Sequence, residues 1–92
     1  MMHTLILTPH AEKDLRELAK SGDKSLMKKL HVLFDELRHH PRTGTGKPER
    51  LKGSLSGFWS RRINDKHRMV YKIEDTTITV YVLSLCGHYD DK

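Results

Sequence analysis

The pattern of apolar and polar residues predicts a helix near the start of the chain. Thr8 is a suitable N-cap, and the ring of Pro9 fits the first helical turn, where its missing N–H costs nothing. The helix is predicted to run to about Lys20, because Ser21-Gly22 then interrupts the pattern.

A second helix is predicted directly after this break. Asp23 is its expected N-cap, and the helix should extend to about His40. Leucines recur along it at spacings of three and four residues, at Leu26, Leu30, Leu33 and Leu37. This stripe lasts only about two heptads, so it favours packing on a sheet over a coiled coil.

Short apolar stretches predict four strands: residues 3–8, Phe58–Asn64, His67–Glu74 and Thr77–Cys86. Polar turns at 64–66 and 74–76 join the last three strands as an antiparallel meander. The predicted order is β-α-α-β-β-β in a single domain, residues 1–92. We therefore expect an α+β fold with both helices on one face of a small, mainly antiparallel sheet.

The last strand carries apolar side chains at almost every position. Strict alternation would place Ile78, Val80 and Val82 on one face, and Tyr81, Leu83 and Leu85 on the other. Apolar residues on both faces indicate a covered strand. The sheet face away from the helices should be partly exposed and should hold Arg62, Arg68 and the C-terminal residues.

Composition excludes several classes of protein. The longest apolar-rich run, residues 78–86, is far shorter than the ~20 residues that span a bilayer, so no membrane association is expected. The N-terminus lacks a basic region and is interpreted as a strand rather than a signal peptide. The single cysteine, Cys86, cannot form an internal disulfide, which is typical of the cytoplasm.

Positive charge is concentrated in the middle of the chain. The net charge is +5, but residues 38–72 contain ten Lys or Arg against two acids, Glu49 and Asp65, which is +8 locally. Such a segment favours binding to a polyanion such as RNA. The alternative is a solvated basic surface that serves only solubility.

Glu49, isolated in this basic segment, is a candidate general base. Metal-free RNA cleavage needs a base for the 2′-hydroxyl, cations for the phosphorane charge and an acid for the leaving 5′-oxygen. His88 is the candidate acid, because histidine titrates near neutrality, and Tyr89 could orient the phosphate or stack on a base. The candidate cations and RNA-binding residues are Lys47, Lys52, Arg62 and Arg68, with the aromatic Trp59.

Each of these residues also has a simpler interpretation. Glu49 alone is commonly a surface salt-bridge acid, His88 a solvated histidine and Trp59 a core anchor. Arg61 and Arg62 lie on opposite faces of one strand, so at most one should line a given site. Residue chemistry alone therefore supports RNA binding more strongly than catalysis.

Metal, cofactor and nucleotide sites are not predicted. The adjacent pair His39-His40 lacks the i, i+4 spacing of a helical zinc site, and Cys86 with His88 lacks further ligands. The loop at residues 41–48 has two glycines but not the Gly-Lys-Ser/Thr ending of a P-loop. No cofactor is expected.

Several segments together resemble the YoeB/Txe toxins of the RelE/ParE superfamily. They are GKPERLK at residues 46–52, LSGFWSRRI at 55–63, HRMVY at 67–71 and HY at 88–89. The resemblance is detailed over residues 44–89, and it implies a RelE-like microbial RNase fold. The chain departs from the family in the acidic tail at residues 90–92 and in a weakly matching N-terminal half.

The resemblance implies a toxin that cleaves messenger RNA in the ribosomal A site. It assigns the general base to Glu49, the general acid to His88, transition-state stabilisation to Arg68 and substrate orientation to Tyr89. It also implies a homodimer silenced by a YefM-like antitoxin, with operator DNA contacted only through the antitoxin complex.

Two other functions remain open on the sequence. A ParE-like protein poisons DNA gyrase on the same fold without RNA chemistry, and it has no need of the set Glu49, Arg68 and His88. A plain RNA-binding accessory protein would bind RNA without cleaving it.

Overall fold

The computed structural model describes residues 2–44 and 46–85, with only the backbone described at 84 and 85. The elements, numbered in chain order, are β1 (Thr4–Leu7), α1 (Pro9–Lys20), α2 (Lys24–His39), β2 (Glu49–Arg50), β3 (Phe58–Arg62), β4 (Arg68–Glu74) and β5 (Thr77–Leu85). A single 3-10 turn, Gly53–Leu55, lies between β2 and β3. Every predicted helix and strand is present within two residues of its expected bounds, although Cys86 lies outside the described residues.

Both helices begin at the predicted capping residues. The Thr8 hydroxyl accepts a hydrogen bond from the Ala11 N–H at 3.1 Å, and the Asp23 carboxylate accepts one from the Leu26 N–H at 3.0 Å. Caps of this kind typically stabilise a helix by about 1 kcal/mol. The local signals for helix starts are confirmed.

The strands form one sheet in the order β1-β5-β4-β3-β2. β1 pairs with β5 in parallel, and the other neighbours are antiparallel. The predicted α+β arrangement is confirmed, with one addition. The edge strand β2 has only two residues, too few to show any alternation in the sequence.

The core lies between the two helices and the sheet face that they cover. Its buried side chains come from both helices, from β4 and β5, and from the end of β3. They are Ala11, Leu18, Leu26, Leu30, Leu33, Phe34, Leu37, Ile63, Met69, Tyr71, Ile78, Val80 and Leu83. No helix within residues 2–44 and 46–85 is long and apolar enough to cross a membrane.

Alternation in β5 differs from the prediction. Ile78 and Val80 are buried in the core as expected, but the third buried residue is Leu83 and not Val82. The register of the β4–β5 pairing shifts between Arg68 and Tyr71, so this stretch of β5 is two residues longer than the β4 stretch that it faces. Extra residues of this kind reverse the side-chain alternation beyond them. The carboxylate of Asp14 on α1 accepts the Leu83 N–H at 3.1 Å, which fixes the irregular strand to the helix layer.

Candidate functional site

The sheet face turned away from the helices, here called the open face, gathers charged residues from three strands. Directly paired residues point to the same face of an antiparallel sheet. The pairs Glu49–Ser60, Phe58–Lys72 and Arg62–Arg68 therefore share the open face. The predicted location of Arg62 and Arg68 is confirmed.

Glu49, on the edge strand β2, and Arg68, on β4, approach each other on this face. Glu49 Oε1 lies 3.9 Å from Arg68 Nη1, and their side chains are 65% and 39% exposed. That distance exceeds the hydrogen-bonding range, so neither group saturates the other. Arg68 Nη1 also lies 3.4 Å from the hydroxyl of buried Ser60, a weak hydrogen bond. The arrangement leaves a carboxylate and a guanidinium both accessible to a ligand.

The other predicted cations, which are Arg62, Lys47 and Lys52, each have surroundings of their own. Arg62 is exposed and donates to Asp65 Oδ1 at 2.9 Å. Lys47 lines an open cleft with Arg62 and Lys29 of α2. Lys52 is exposed at the residue before the 3-10 turn. The cations thus extend the positive surface beyond Glu49 and Arg68.

Phe58 belongs to the open face, although an aromatic residue in a strand is most simply expected in the core. Its ring packs edge-on against Tyr81 with centroids 5.0 Å apart, and Lys72 Nζ lies 5.7 Å from its centroid. Strand alternation counted back from Arg62 would have identified it, because positions 58, 60 and 62 share one face.

Trp59 lies on the opposite face from Glu49. It is half-buried against the core, and it lines a shallow cleft with Arg42 and Arg50. The structure therefore does not bring Trp59 together with Glu49 and Arg68. Any contact between RNA and Trp59 would have to occur on this other face of the sheet.

Arg61 is completely buried on the helix-covered face, whereas its neighbour Arg62 is exposed, as alternation predicts. Arg61 Nη1 donates to Glu36 Oε1 at 3.0 Å. Its Nη2 donates to the backbone carbonyls of His40 at 2.9 Å and Thr43 at 2.8 Å. Sequence reasoning did not identify this cluster, because it depends on where α2 ends relative to β3.

Tyr71 completes the same buried cluster. Its hydroxyl donates to the Pro41 carbonyl at 2.7 Å, and the Arg61 guanidinium carbon lies 5.9 Å from its ring centroid. Burial raises the pKa of Tyr71, and the nearby Arg61 charge opposes that rise. The hydroxyl therefore stays protonated and able to donate.

Two predicted site residues, His88 and Tyr89, lie outside the described residues. Within residues 2–44 and 46–85, no three His, Cys, Asp or Glu side chains cluster closely enough to hold a metal ion.

Comparison with known proteins identifies the family. A family model described as the YoeB-like toxin of bacterial type II toxin-antitoxin systems matches residues 7–89. Toxin YoeB of Synechocystis sp. is 44% identical over 70 residues, which cover 76% of this chain and 79% of the relative. The solved YoeB dimer from Staphylococcus aureus superposes with a TM-score of 0.78 at 34% identity, covering 91% of this chain and 97% of that one. A YoeB-YefM complex from the same organism gives a TM-score of 0.78 at 32% identity over 91% and 97% of the two chains. The chain therefore belongs to the YoeB-like toxins of bacterial type II toxin–antitoxin systems.

Proposed function

We propose that this toxin is an endoribonuclease that cleaves messenger RNA in the ribosomal A site by metal-free acid–base chemistry. The observation that carries the proposal is the approach of Glu49 to Arg68 on an exposed, cationic sheet face. Family membership supports it independently, through the match over residues 7–89.

In the proposed reaction, Glu49 accepts the proton of the 2′-hydroxyl. The 2′-oxygen then attacks the adjacent phosphorus, and the bond from phosphorus to the 5′-oxygen breaks. His88 donates a proton to that leaving oxygen, so the products carry a 2′,3′-cyclic phosphate and a 5′-hydroxyl. The cations oppose the negative charge that develops on the phosphorane oxygens.

The geometry of Arg68 suits it to stabilise that charge. Its guanidinium is partly exposed, and its distance to Glu49 is too long for a strong hydrogen bond. Donors therefore remain for phosphate oxygens, which the planar fork of arginine binds in pairs. Arg62, Lys47 and Lys52 would contact flanking phosphates, and Arg62 would exchange its exposed partner Asp65 for one.

The end of β5 supports the roles of His88 and Tyr89. Leu85, the last described residue, pairs with Arg68 in the sheet. His88 follows three residues later, and three residues span at most about 11 Å when extended. This bound permits the proposed role of His88 as the acid toward the phosphate that Arg68 would bind, and we propose that Tyr89 orients the same substrate.

The partners proposed for this chain follow from its solved relatives. One S. aureus YoeB structure is a dimer, and another is a complex with YefM. We expect this chain to form a homodimer and to be silenced by a YefM-like antitoxin, with operator DNA contacted only through that complex. Action on ribosomes and messenger RNA would place it in the cytoplasm.

Mapping the ends of a message on programmed ribosomes tests the reaction. We expect wild-type toxin to cut the message in the A site, and Glu49→Gln to cut at least 100-fold more slowly while still binding ribosomes, since general-base catalysis contributes about 10²–10⁴-fold. Glu74→Gln is the matched control, because Glu74 is an exposed acid of β4 paired with Lys72 rather than with Arg68. Its cleavage rate should equal that of wild type.

Intact message at toxin-to-ribosome parity would refute the proposal. Gyrase inhibition in the same preparation would then identify a ParE-like poison. Salt-sensitive RNA binding without cleavage or growth arrest would identify an accessory protein. Separately, unchanged cleavage by His88→Ala would remove His88 from the acid role.

A further inference from the structure

The segment between α2 and β2, residues 40–48, carries the chain from the helix layer to Glu49. Its described part contains no regular secondary structure, so it is not held by the repeating backbone hydrogen bonds of a helix or a strand. Side chains of the sheet hold it instead. The carbonyls of His40 and Thr43 accept from Arg61, and that of Pro41 accepts from Tyr71.

Arg61 is suited to this task by its shape and its fixed charge. Of its two terminal nitrogens, Nη1 donates to the Glu36 carboxylate and Nη2 donates to two carbonyls of the segment. The charge is fully buried, and a buried charge persists only where it is paired and hydrogen-bonded. Displacing the segment would remove two of these three partners.

Two glycines let the segment lie close to its neighbours, Gly44 beside Glu36 of α2 and Gly46 directly on β3. A Cβ at Gly44 would collide with the Glu36 carboxylate, and one at Gly46 would come within 2.5 Å of the Arg62 carbonyl and 2.7 Å of Arg61 Cγ. The Gly46 carbonyl accepts the Arg62 N–H at 2.9 Å. Glu49 follows three residues later and pairs with Ser60. The anchors and the candidate base are thus connected over a very short stretch.

We propose that Arg61 is a positioning residue, which holds the segment at residues 40–48 through Glu36, His40 and Thr43 and thereby sets the position of Glu49 beside Arg68. The catalytic part of this inference rests on the proposed function; the anchoring part does not. Arg61 acts from the face opposite the substrate and contacts no reacting atom.

The Arg62 amide provides a direct readout of anchoring. Its N–H bonds the Gly46 carbonyl, so its hydrogen-exchange rate reports whether the segment stays on β3. In Arg61→Lys a single ammonium cannot reproduce the fork that reaches three acceptors. We expect the Arg62 amide exchange to accelerate at least tenfold more than the exchange of the β4 and β5 amides, which report any loss of global stability. Arg42→Lys, the same change at an exposed arginine of the same segment, should leave every rate unchanged.

Single-turnover cleavage on ribosomes tests the consequence for Glu49. Arg61→Lys should lower the cleavage rate at least tenfold and change ribosome affinity less than twofold, because the cations of the open face are untouched. Arg42→Lys should cleave at the wild-type rate. If Arg61→Lys fails to fold, Tyr71→Phe removes only the bond to Pro41 and should shift exchange and cleavage in the same directions by smaller factors.

The outcomes separate the two proposals. Wild-type exchange in both Arg61→Lys and Tyr71→Phe would refute the anchoring, and faster exchange with unchanged cleavage would refute the positioning of Glu49. A wild-type protein that does not cleave would refute the proposed function, and the exchange rates would still decide the anchoring.

Discussion

Replacing Tyr71 with phenylalanine should lower the free energy of unfolding by about 1–3 kcal/mol at neutral pH. The buried hydroxyl donates to the Pro41 carbonyl at 2.7 Å, and the substitution leaves that carbonyl without this donor. Because the ring remains, the cavity left by the missing hydroxyl is far smaller than the cavity that Tyr71→Ala would leave. Urea denaturation of both proteins at pH 7, followed by circular dichroism, measures the difference.

The same variant should be less sensitive to alkali than the wild type. Burial raises the pKa of Tyr71 in the folded chain, so above pH ~10 the unfolded chain loses the phenolic proton first. The contribution of the protonated Tyr71 hydroxyl to the free energy of unfolding is therefore fully present below that pH. It is lost as the pH rises, by at most about 1.4 kcal/mol per pH unit. Phenylalanine has no such proton. The stability difference between the two proteins should shrink steadily above pH ~10.

Tyr81→Phe serves as the control, because Tyr81 is half-buried on the open face. It should cost less stability at neutral pH. A Tyr71→Phe protein within about 0.5 kcal/mol of wild type, below the usual cost of an unpaired buried carbonyl, and with no pH trend, would show that the hydroxyl does not hold the segment.

Three further predictions follow from other parts of the molecule. Asp14→Leu removes the acceptor of the Leu83 N–H and should lower the free energy of unfolding by about 1–3 kcal/mol in thermal melts, whereas Asp14→Asn retains an acceptor and should cost less. Gly46→Ala would push a Cβ to 2.5 Å from the Arg62 carbonyl, so urea denaturation should show a larger loss than for Gly22→Ala. At Gly22 the added atom meets nothing within 4 Å, and only the left-handed backbone costs about 1–2 kcal/mol. Binding of single-stranded RNA should weaken with salt, with a log–log slope of about −0.7 per phosphate contacted; a flat salt series in filter binding would contradict a cationic RNA surface.

Local signals in the sequence were sufficient for the helices and the long strands. Thr8 and Asp23 cap their helices through contacts three residues away, and such short-range chemistry can be read directly from the chain. The family resemblance implied that Glu49 and Arg68 act in one site, although 19 positions separate them. Their proximity in space comes from the pairings β2–β3 and β3–β4, and only the second was predicted, from the turn at residues 64–66.

Features that depend on pairing between distant segments were not predicted. Edge strand β2 is two residues long and exists because Glu49 and Arg50 meet Ser60 and Trp59. The register shift in β5 arises from its pairing with β4. Because of this shift, Leu83 lies in the core where strict alternation predicts Val82. A period-two pattern assumes an uninterrupted ladder, so it is wrong beyond any bulge.

The two arginines Arg61 and Arg68 contribute to the site in different ways, and their energies indicate which one sets its geometry. The contact between Arg68 and Glu49 is 3.9 Å long and exposed, and such ion pairs contribute about 0–1 kcal/mol. That is too little to hold Glu49 in place. Breaking a buried pair costs about 3–5 kcal/mol, and Arg61 lies near the lower end of that range because Glu36 is partly exposed. We therefore expect Arg68→Ala to abolish cleavage while leaving the stability and the Arg62 amide exchange unchanged. Arg61→Lys should lower the stability, accelerate the Arg62 amide exchange and slow cleavage. An Arg68→Ala protein with accelerated exchange would show instead that the exposed pair positions the base.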